Sequence, residues 1–165
     1  MTPKTITRES FEAGHIFEGF ALAPVTCWLA PRFLAHDPAS ATLRLEYLAR
    51  PEWAHPGGMV QGGIVTAMLD DTMGQLVLAQ TGGGFHPAST DIHTRYFRAL
   101  PVGGRCQVEA WLDHDGRSAV FVSAQMRSDD GRLIARATNT VRLLDTTAAL
   151  APEQSLRVDA EVRPR

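Results

Sequence analysis

Apolar and polar residues alternate without a break from Ala41 to Arg50. Leu43, Leu45 and Tyr47 fall on one side, Arg44 and Glu46 on the other. A period of two marks a strand with one buried face. The same period returns in Arg105 to Asp113, where Cys106, Val108, Ala110 and Leu112 alternate with Gln107, Glu109, Trp111 and Asp113. Further strands are expected at about Ser89–Leu100, Ser118–Arg127 and Leu133–Leu144. Asp115-Gly116 and Asp130-Gly131 separate successive strands, and Asp-Gly is a strong hairpin signal. The second half therefore reads as an antiparallel meander. Earlier, Pro24 to His36 holds apolar residues broken by Pro31, which predicts an edge strand or two short pieces. A short helical or irregular lead is expected around Glu9 to Phe20. The tail from Asp145 to Arg165 has little periodicity and reads as peripheral.

Between these strands the period changes. From Ile64 to about Gln80 the apolar residues Ile64, Val65, Met68, Leu69, Met73, Leu76, Val77 and Leu78 fall on nearly every side of a helical wheel. Such a helix is buried, and at 1.5 Å per residue it is about 25 Å long. One long buried helix with a five- or six-stranded antiparallel sheet wrapped around it is an α+β architecture. The helix also bears two adjacent acids. Asp70 shares a face with Gly63, Thr66, Ala67, Gly74 and Val77, which are mostly small, while Asp71 lies nearer Ile64, Met68, Gln75 and Leu78. Small neighbours leave room for a ligand or a close-packed partner. A carboxylate in an apolar pocket has its charged form disfavoured, which shifts its pKa toward the range useful for base or nucleophile chemistry. A plain structural hydrogen bond from Asp70 to a neighbouring element is the competing reading.

The segment before the helix, Pro56 to Gly63, places four glycines within seven residues. Glycines let a ligand lie against the backbone, and the first N–H groups of a helix lack internal partners at its positive end. Amides at Gly62 and Gly63 are thus suited to polarise a carbonyl and hold an oxyanion, although an ordinary tight turn has the same composition. A phosphate loop is disfavoured because GxxxxGK[ST] is absent. Gly62 and Asp70 are eight residues apart, roughly 12 Å along one helix. If both act on one carbonyl, two antiparallel helices must each supply one part, which implies a symmetric dimer with two composite sites.

Composition narrows the functional classes. The chain has 165 residues, 44% hydrophobic and 21% charged, with net charge −2. That suits a single domain over 1–165, with its core at about 24–144. Of 16 basic residues only Lys4 is a lysine, and no basic run appears, so nucleic-acid binding is not expected. Nor is a membrane span. The N-terminus lacks the apolar block of a signal peptide, so the cytoplasm is the default expectation. Cys27 and Cys106, both on expected strands, read as reduced core residues. The histidines, His15, His36, His55, His86, His93 and His114, are scattered, with no HExxH. No metal or cofactor is expected.

Several stretches together resemble a known family, the hotdog-fold acyl-CoA thioesterases of the phenylacetate-pathway (PaaI-like) group. Its signature is an Asn, five residues, His-Gly-Gly, then an acid eight residues after the first Gly. Here Gly62-Gly63 and Asp70 match. Ser89-Thr90-Asp91-Ile92, Tyr96-Phe97-Arg98, Gly116-Arg117 and Asp130-Gly131-Arg132-Leu133 also look like the family, so the resemblance covers roughly residues 40–144. Two positions depart from it: His55 stands at the Asn position and Gln61 at the motif His.

The resemblance implies a hotdog fold and hydrolysis of an acyl-CoA thioester, aryl or medium-chain, in a homodimer or dimer of dimers. Gly62 N–H would polarise the carbonyl, with Gly63 beside it. Asp70 of the partner chain would act as general base or nucleophile. Ser89 occupies a position that in some relatives helps to place the water. His55 is a candidate contact to the thioester or water, and Gln61, which can donate and accept, a candidate to orient the turn. Arg98 and Arg117 are candidates for the phosphates of CoA. Met59, Met68 and Met73 are candidates to line the acyl pocket, and Asp71 is left to a supporting role. A non-catalytic acyl-CoA-binding protein, acting as sensor or scaffold, is the alternative; it would keep the fold but could dispense with Asp70. A hotdog hydratase would want a His five residues after the acid, where Gln75 stands.

Overall fold

The computed structural model describes residues 23–145. The lead around Glu9 to Phe20 and the tail beyond Asp145 lie outside them. In order, the chain forms α1 (Pro24–Leu29), β1 (Arg32–Asp37), β2 (Thr42–Leu48), a single 3₁₀ turn (Pro51–Trp53), α2 (Gly62–Gln80), β3 (Phe85–Tyr96), β4 (Arg105–Asp115), β5 (Ala119–Ser128) and β6 (Leu133–Asp145). The six strands make one sheet in the order β1-β2-β4-β5-β6-β3, with every pairing antiparallel. The meander β4-β5-β6 turns at the two Asp-Gly dipeptides, as the pattern requires, and β3 lies outermost beyond it.

The sheet wraps around α2. Met68, Leu69, Met73 and Leu76 on the helix meet Leu45, Tyr47, Val108, Val122 and Met126 on the strands, all of them fully buried. Truncating Met73 or Leu76 to alanine would cost roughly 2–5 kcal/mol, because a packed core relaxes only partly into the void. The polar side of the β2 alternation holds as well: Glu46 points away from the helix and is covered by Arg32 at 2.7 Å and Arg105 at 2.9 Å. Its burial is thus achieved by two cations rather than by the core.

Three expectations need correction. Pro24 to His36 does contain two pieces, but the first is a helix. Pro24 sits at its first turn, where a missing N–H breaks no bond, and Thr26 and Leu29 bury one side. Its six residues are too few for a sequence window to separate from a strand. Cys27 is therefore exposed on α1 and Cys106 buried on β4. The third concerns α2. The wheel suggests burial all round, yet Gly62, Thr66, Ala67, Asp70 and Gly74 are only half-buried and Gly63 is exposed. Among the described residues the small-residue face is the open one.

Candidate active site

Asp70 emerges from α2 on that open face, toward β3 and β6. Its Oδ1 accepts from Ser89 Oγ at 2.7 Å and from Asn139 Nδ2 at 2.9 Å. Asn139 Nδ2 also donates to Ser89 Oγ at 2.8 Å. The three side chains therefore share a fixed set of protons: the amide gives one to each oxygen, and the serine hydroxyl gives its own to the carboxylate. Both donors converge on Oδ1. Asp70 Oδ2 has no hydrogen-bond partner among the described residues. A strand irregularity between Ser89 and Asp91 breaks the alternation and turns Ser89 to the helix side.

Asp71, one residue on, faces the opposite way. It accepts from Thr26 of α1 at 2.5 Å and from Tyr47 of β2 at 3.0 Å. Tyr47 is fully buried and bonds Thr72 and the Met68 carbonyl as well. Burial raises the Asp71 carboxyl above its ordinary value, against the lowering effect of these donors. Tyr47 is pushed up too, by its own desolvation and then by the neighbouring Asp71. The desolvated acid of the pair is thus Asp71, enclosed by side chains of α1, α2 and β2.

The helix start lies at the other end of β3. Gly62 opens α2 with Gln61 as N-cap, and no side chain caps the turn, so the first amides keep the unsatisfied character general to helix starts. Gln61 does not orient the turn through its side chain. Its backbone does: its N–H donates to Trp53 O, and its C=O accepts from Ile64 and Val65. Tyr96 Oη donates to Gly62 O at 2.9 Å and meets Thr66 Oγ1 at 2.5 Å. A Cβ on Gly62 would lie 3.3 Å from the Tyr96 ring, a contact tight enough that the ring would have to give way slightly.

Beside this start, His55, Gly62, Tyr96, Phe97, Arg98 and Leu100 line a cavity of about 350 Å³. His55 Nδ1 accepts from the Gly57 amide at 2.9 Å, which in the neutral ring leaves the proton on Nε2. A Cβ on Gly57 would come within 2.6 Å of the imidazole, so a larger residue there would displace the His55 ring. The structure thus brings His55, Gly62 and Arg98 together, and separately Asp70 and Ser89. Gly63 is exposed on the second helical position. Arg98 donates to the Leu133 carbonyl at the start of β6, whereas Arg117 is exposed in the β4–β5 turn beside the far end of that strand. The two arginines are separated by roughly 30 Å of strand and form no common clamp within one chain. Met68 and Met73 are core residues, not pocket lining.

Sequence reading misses Asn139. Its signal is composition against place: asparagine is depleted in strands, yet this one stands mid-strand in RATNTV and is 3% exposed. Tyr96 is quoted within a motif but not assigned its contact with Gly62.

The model of the thioesterase superfamily matches residues 57–135, the span from the glycine turn through α2 and into β6. A putative thioesterase of Ralstonia eutropha JMP134, described as phenylacetic acid degradation-related, is 28% identical, with TM-score 0.72 over 79% of this chain and 97% of that one. Over residues 57–135, just under half of its length, this chain matches the thioesterase superfamily. Within it the likeness is to PaaI-like hotdog proteins. The PaaI protein of Escherichia coli, from the phenylacetic acid degradation operon, is 10% identical with TM-score 0.70, covering 84% of this chain and 96% of that one. A Streptococcus mutans protein solved with acetyl CoA is 16% identical with TM-score 0.64, covering 70% and 89%. A search of curated protein sequences finds no match. The thioesterase is thus a six-stranded hotdog with one long helix. Among its described residues no helix is long and apolar enough to cross a membrane, and no three potential metal ligands cluster.

Proposed function

We propose that this thioesterase hydrolyses acyl-CoA thioesters, aryl or medium-chain, in a composite site that takes Gly62 from one chain and Asp70 from its partner. The observation that carries the reading is the half-used carboxylate. Ser89 and Asn139 hold Asp70 by Oδ1 alone, leaving Oδ2 a lone-pair oxygen on an open face of small residues. As general base, Oδ2 takes a proton from water while that water attacks the thioester carbon. As nucleophile, it attacks the carbon itself, giving a mixed anhydride that water then cleaves. In either course the C–S bond breaks, the negative charge on the carbonyl oxygen is held by the Gly62 N–H, and the CoA sulfur leaves and is protonated. His55 Nε2–H lines the same cavity as Gly62 and is placed to donate a second hydrogen bond to that oxygen.

The two-chain arrangement is supported by the edge that β3 presents among the described residues. β3 is a twelve-residue edge strand and largely exposed, and a long uncovered edge is a template for pairing. Gly62 contacts β3 at Tyr96 and Asp70 contacts it at Ser89. An antiparallel pairing of β3 with a twofold copy, centred between Ile92 and His93, would lay Tyr96 of one chain near Ser89 of the other. That pairing would unite the two halves and cover the open face of α2. We place this homo-oligomer in the cytoplasm, as a dimer or a dimer of dimers.

The test is a panel of aromatic and aliphatic acyl-CoAs, with free thiol release followed over time and sedimentation run in parallel. Turnover by an assembly of two or more chains is expected. Binding of acyl-CoA without thiol release across the panel would make the protein a sensor or scaffold, and a hydrolytically active monomer would end the composite site.

A further inference from the structure

The sheet face that points away from α2 carries a cavity of about 450 Å³, lined by His93, Arg95, Phe97, Trp111, Arg136 and Thr138 among others. Thr94, between His93 and Arg95, bonds Thr66 of α2, so its neighbours on β3 point outward by alternation. Arg95 and Arg136 stand directly opposite each other in the β3–β6 register. Like charges in that position repel, and a fold has no reason of its own to set them there. Both are exposed, and neither guanidinium has an ion pair or hydrogen bond among the described residues.

The nearby acids do not neutralise them. Asp113 receives Trp111 Nε1 at 2.9 Å and also Ser123 Oγ, and Glu109 receives Gln125 at 3.0 Å. Asp91 lies with Asp113 in an adjoining, smaller cavity. What remains is two arginine forks, an imidazole and two flat aromatic side chains around one cavity. Paired forks match phosphate oxygens, and tryptophan and phenylalanine offer faces on which a base can stack.

We propose that this outer-face cavity binds a nucleotide phosphate, with Arg95 and Arg136 on the phosphate and Trp111 and Phe97 against the base. The inference uses neither Gly62 nor Asp70, which lies on the opposite face of the sheet, although Phe97 borders both this cavity and the one beside Gly62. The nucleotide can be the adenosine phosphate end of a CoA or a free nucleotide; both present the same groups.

The full chain should be titrated calorimetrically with adenosine 3′,5′-bisphosphate and with inorganic pyrophosphate. Both should bind, the bisphosphate more tightly, and both should weaken as salt is raised. The double variant Arg95→Gln/Arg136→Gln should lose roughly tenfold or more in affinity, while Arg50→Gln, at an arginine that stacks on Trp53 and pairs with Glu52, should not change it. If the double variant is insoluble, Arg95→Lys keeps the charge but loses the fork, and should still weaken the bisphosphate. CoA arms separate the sources. CoA that displaces the bisphosphate, with KM for acyl-CoA raised and kcat kept in the double variant, assigns the site to the substrate's own nucleotide. Displacement by ATP with KM unchanged assigns it to a separate nucleotide. Absence of binding by the intact chain, or equal binding by the double variant, overturns the proposal. So does a double variant that sediments as a smaller assembly without any anion binding by the parent, which would give this face to a second copy of the chain.

Discussion

Asp70 and Asp71 are adjacent on one helix, about 100° apart, and the fold treats them as opposites. Asp71 turns inward to β2 and α1, where Tyr47 and Thr26 bond it and burial raises its pKa. Asp70 turns outward to β3 and β6, where Ser89 and Asn139 occupy one oxygen and leave the other. A displaced pKa alone would direct attention to Asp71. Its oxygens are engaged by donors from other elements, so it ties α1 and β2 to the helix. Among the described residues Asp70 has one unengaged oxygen and lies on a half-buried face of small side chains. Access distinguishes these two acids more sharply than desolvation does.

The largest effect expected from this contrast is on turnover. Asp70→Asn should lower kcat by about 10² or more, the usual loss when an acid–base group is removed, while circular dichroism and Tm stay near native. Thiol release at a near-native rate would remove Asp70 from the chemistry.

Next comes the assignment of the two halves to two chains. Gly62→Pro deletes the proposed oxyanion donor. Gly62 is not among the glycines with positive φ, and Gln61 at φ −62° and ψ 139° has the conformation that precedes proline. The Tyr96 ring must give by a few tenths of an ångström to admit the new Cβ. Co-expressed with Asp70→Asn, it should recover roughly a quarter of native activity, since about half of freely assorted dimers are mixed and each carries one intact site. No recovery from two soluble, co-assembled variants would place each site within a single chain.

A smaller loss is expected at Asn139. Asn139→Leu removes the amide from both Asp70 and Ser89, and kcat should fall about tenfold, in line with loss of a hydrogen bond to a charged group. KM should change little, because the amide meets the carboxylate and not the acyl-CoA. A rise in KM with kcat unchanged would make Asn139 a binding residue.

The smallest effect belongs to Asp71. Burial makes the folded state hold this proton more tightly than the unfolded chain, whose ordinary value is 3.8. The associated stability is therefore present in full below about pH 4 and is lost as pH rises through the raised folded value. Asp71→Asn can still accept from Thr26 and should keep turnover within about twofold of native, far from the 10² of an acid–base loss. It should also flatten the fall of Tm with pH above 4. A Tm profile parallel to the parent's would show that Asp71 does not titrate across that range.

Much of this architecture was legible in the chain because it rests on periodicity. The period-two runs of β2 and β4, the Asp-Gly turns and the apolar run of α2 are local patterns, and local sterics and solvation are enough to interpret them. The wheel also separated the two acids correctly, since helical spacing alone assigns Asp70 to the small-residue face. The short α1 was not legible: six residues carry too few periods to distinguish helix from strand. Nor was the link from Asn139 to Asp70, sixty-nine positions away.

What the sequence determined by itself is one long buried helix followed by an antiparallel meander, the glycine turn at the start of that helix, and an acid eight residues further on. What only the tertiary structure decided is which acid oxygen is left open, that His55 stands beside Gly62 while Gln61 caps through its backbone, and that Arg95 opposes Arg136 across the outer face. The physical reason is range. Helix and strand periods are set by neighbours within a turn or two, whereas these contacts join β3 and β6, or a loop and a helix start. Their register exists only once the sheet has closed around α2.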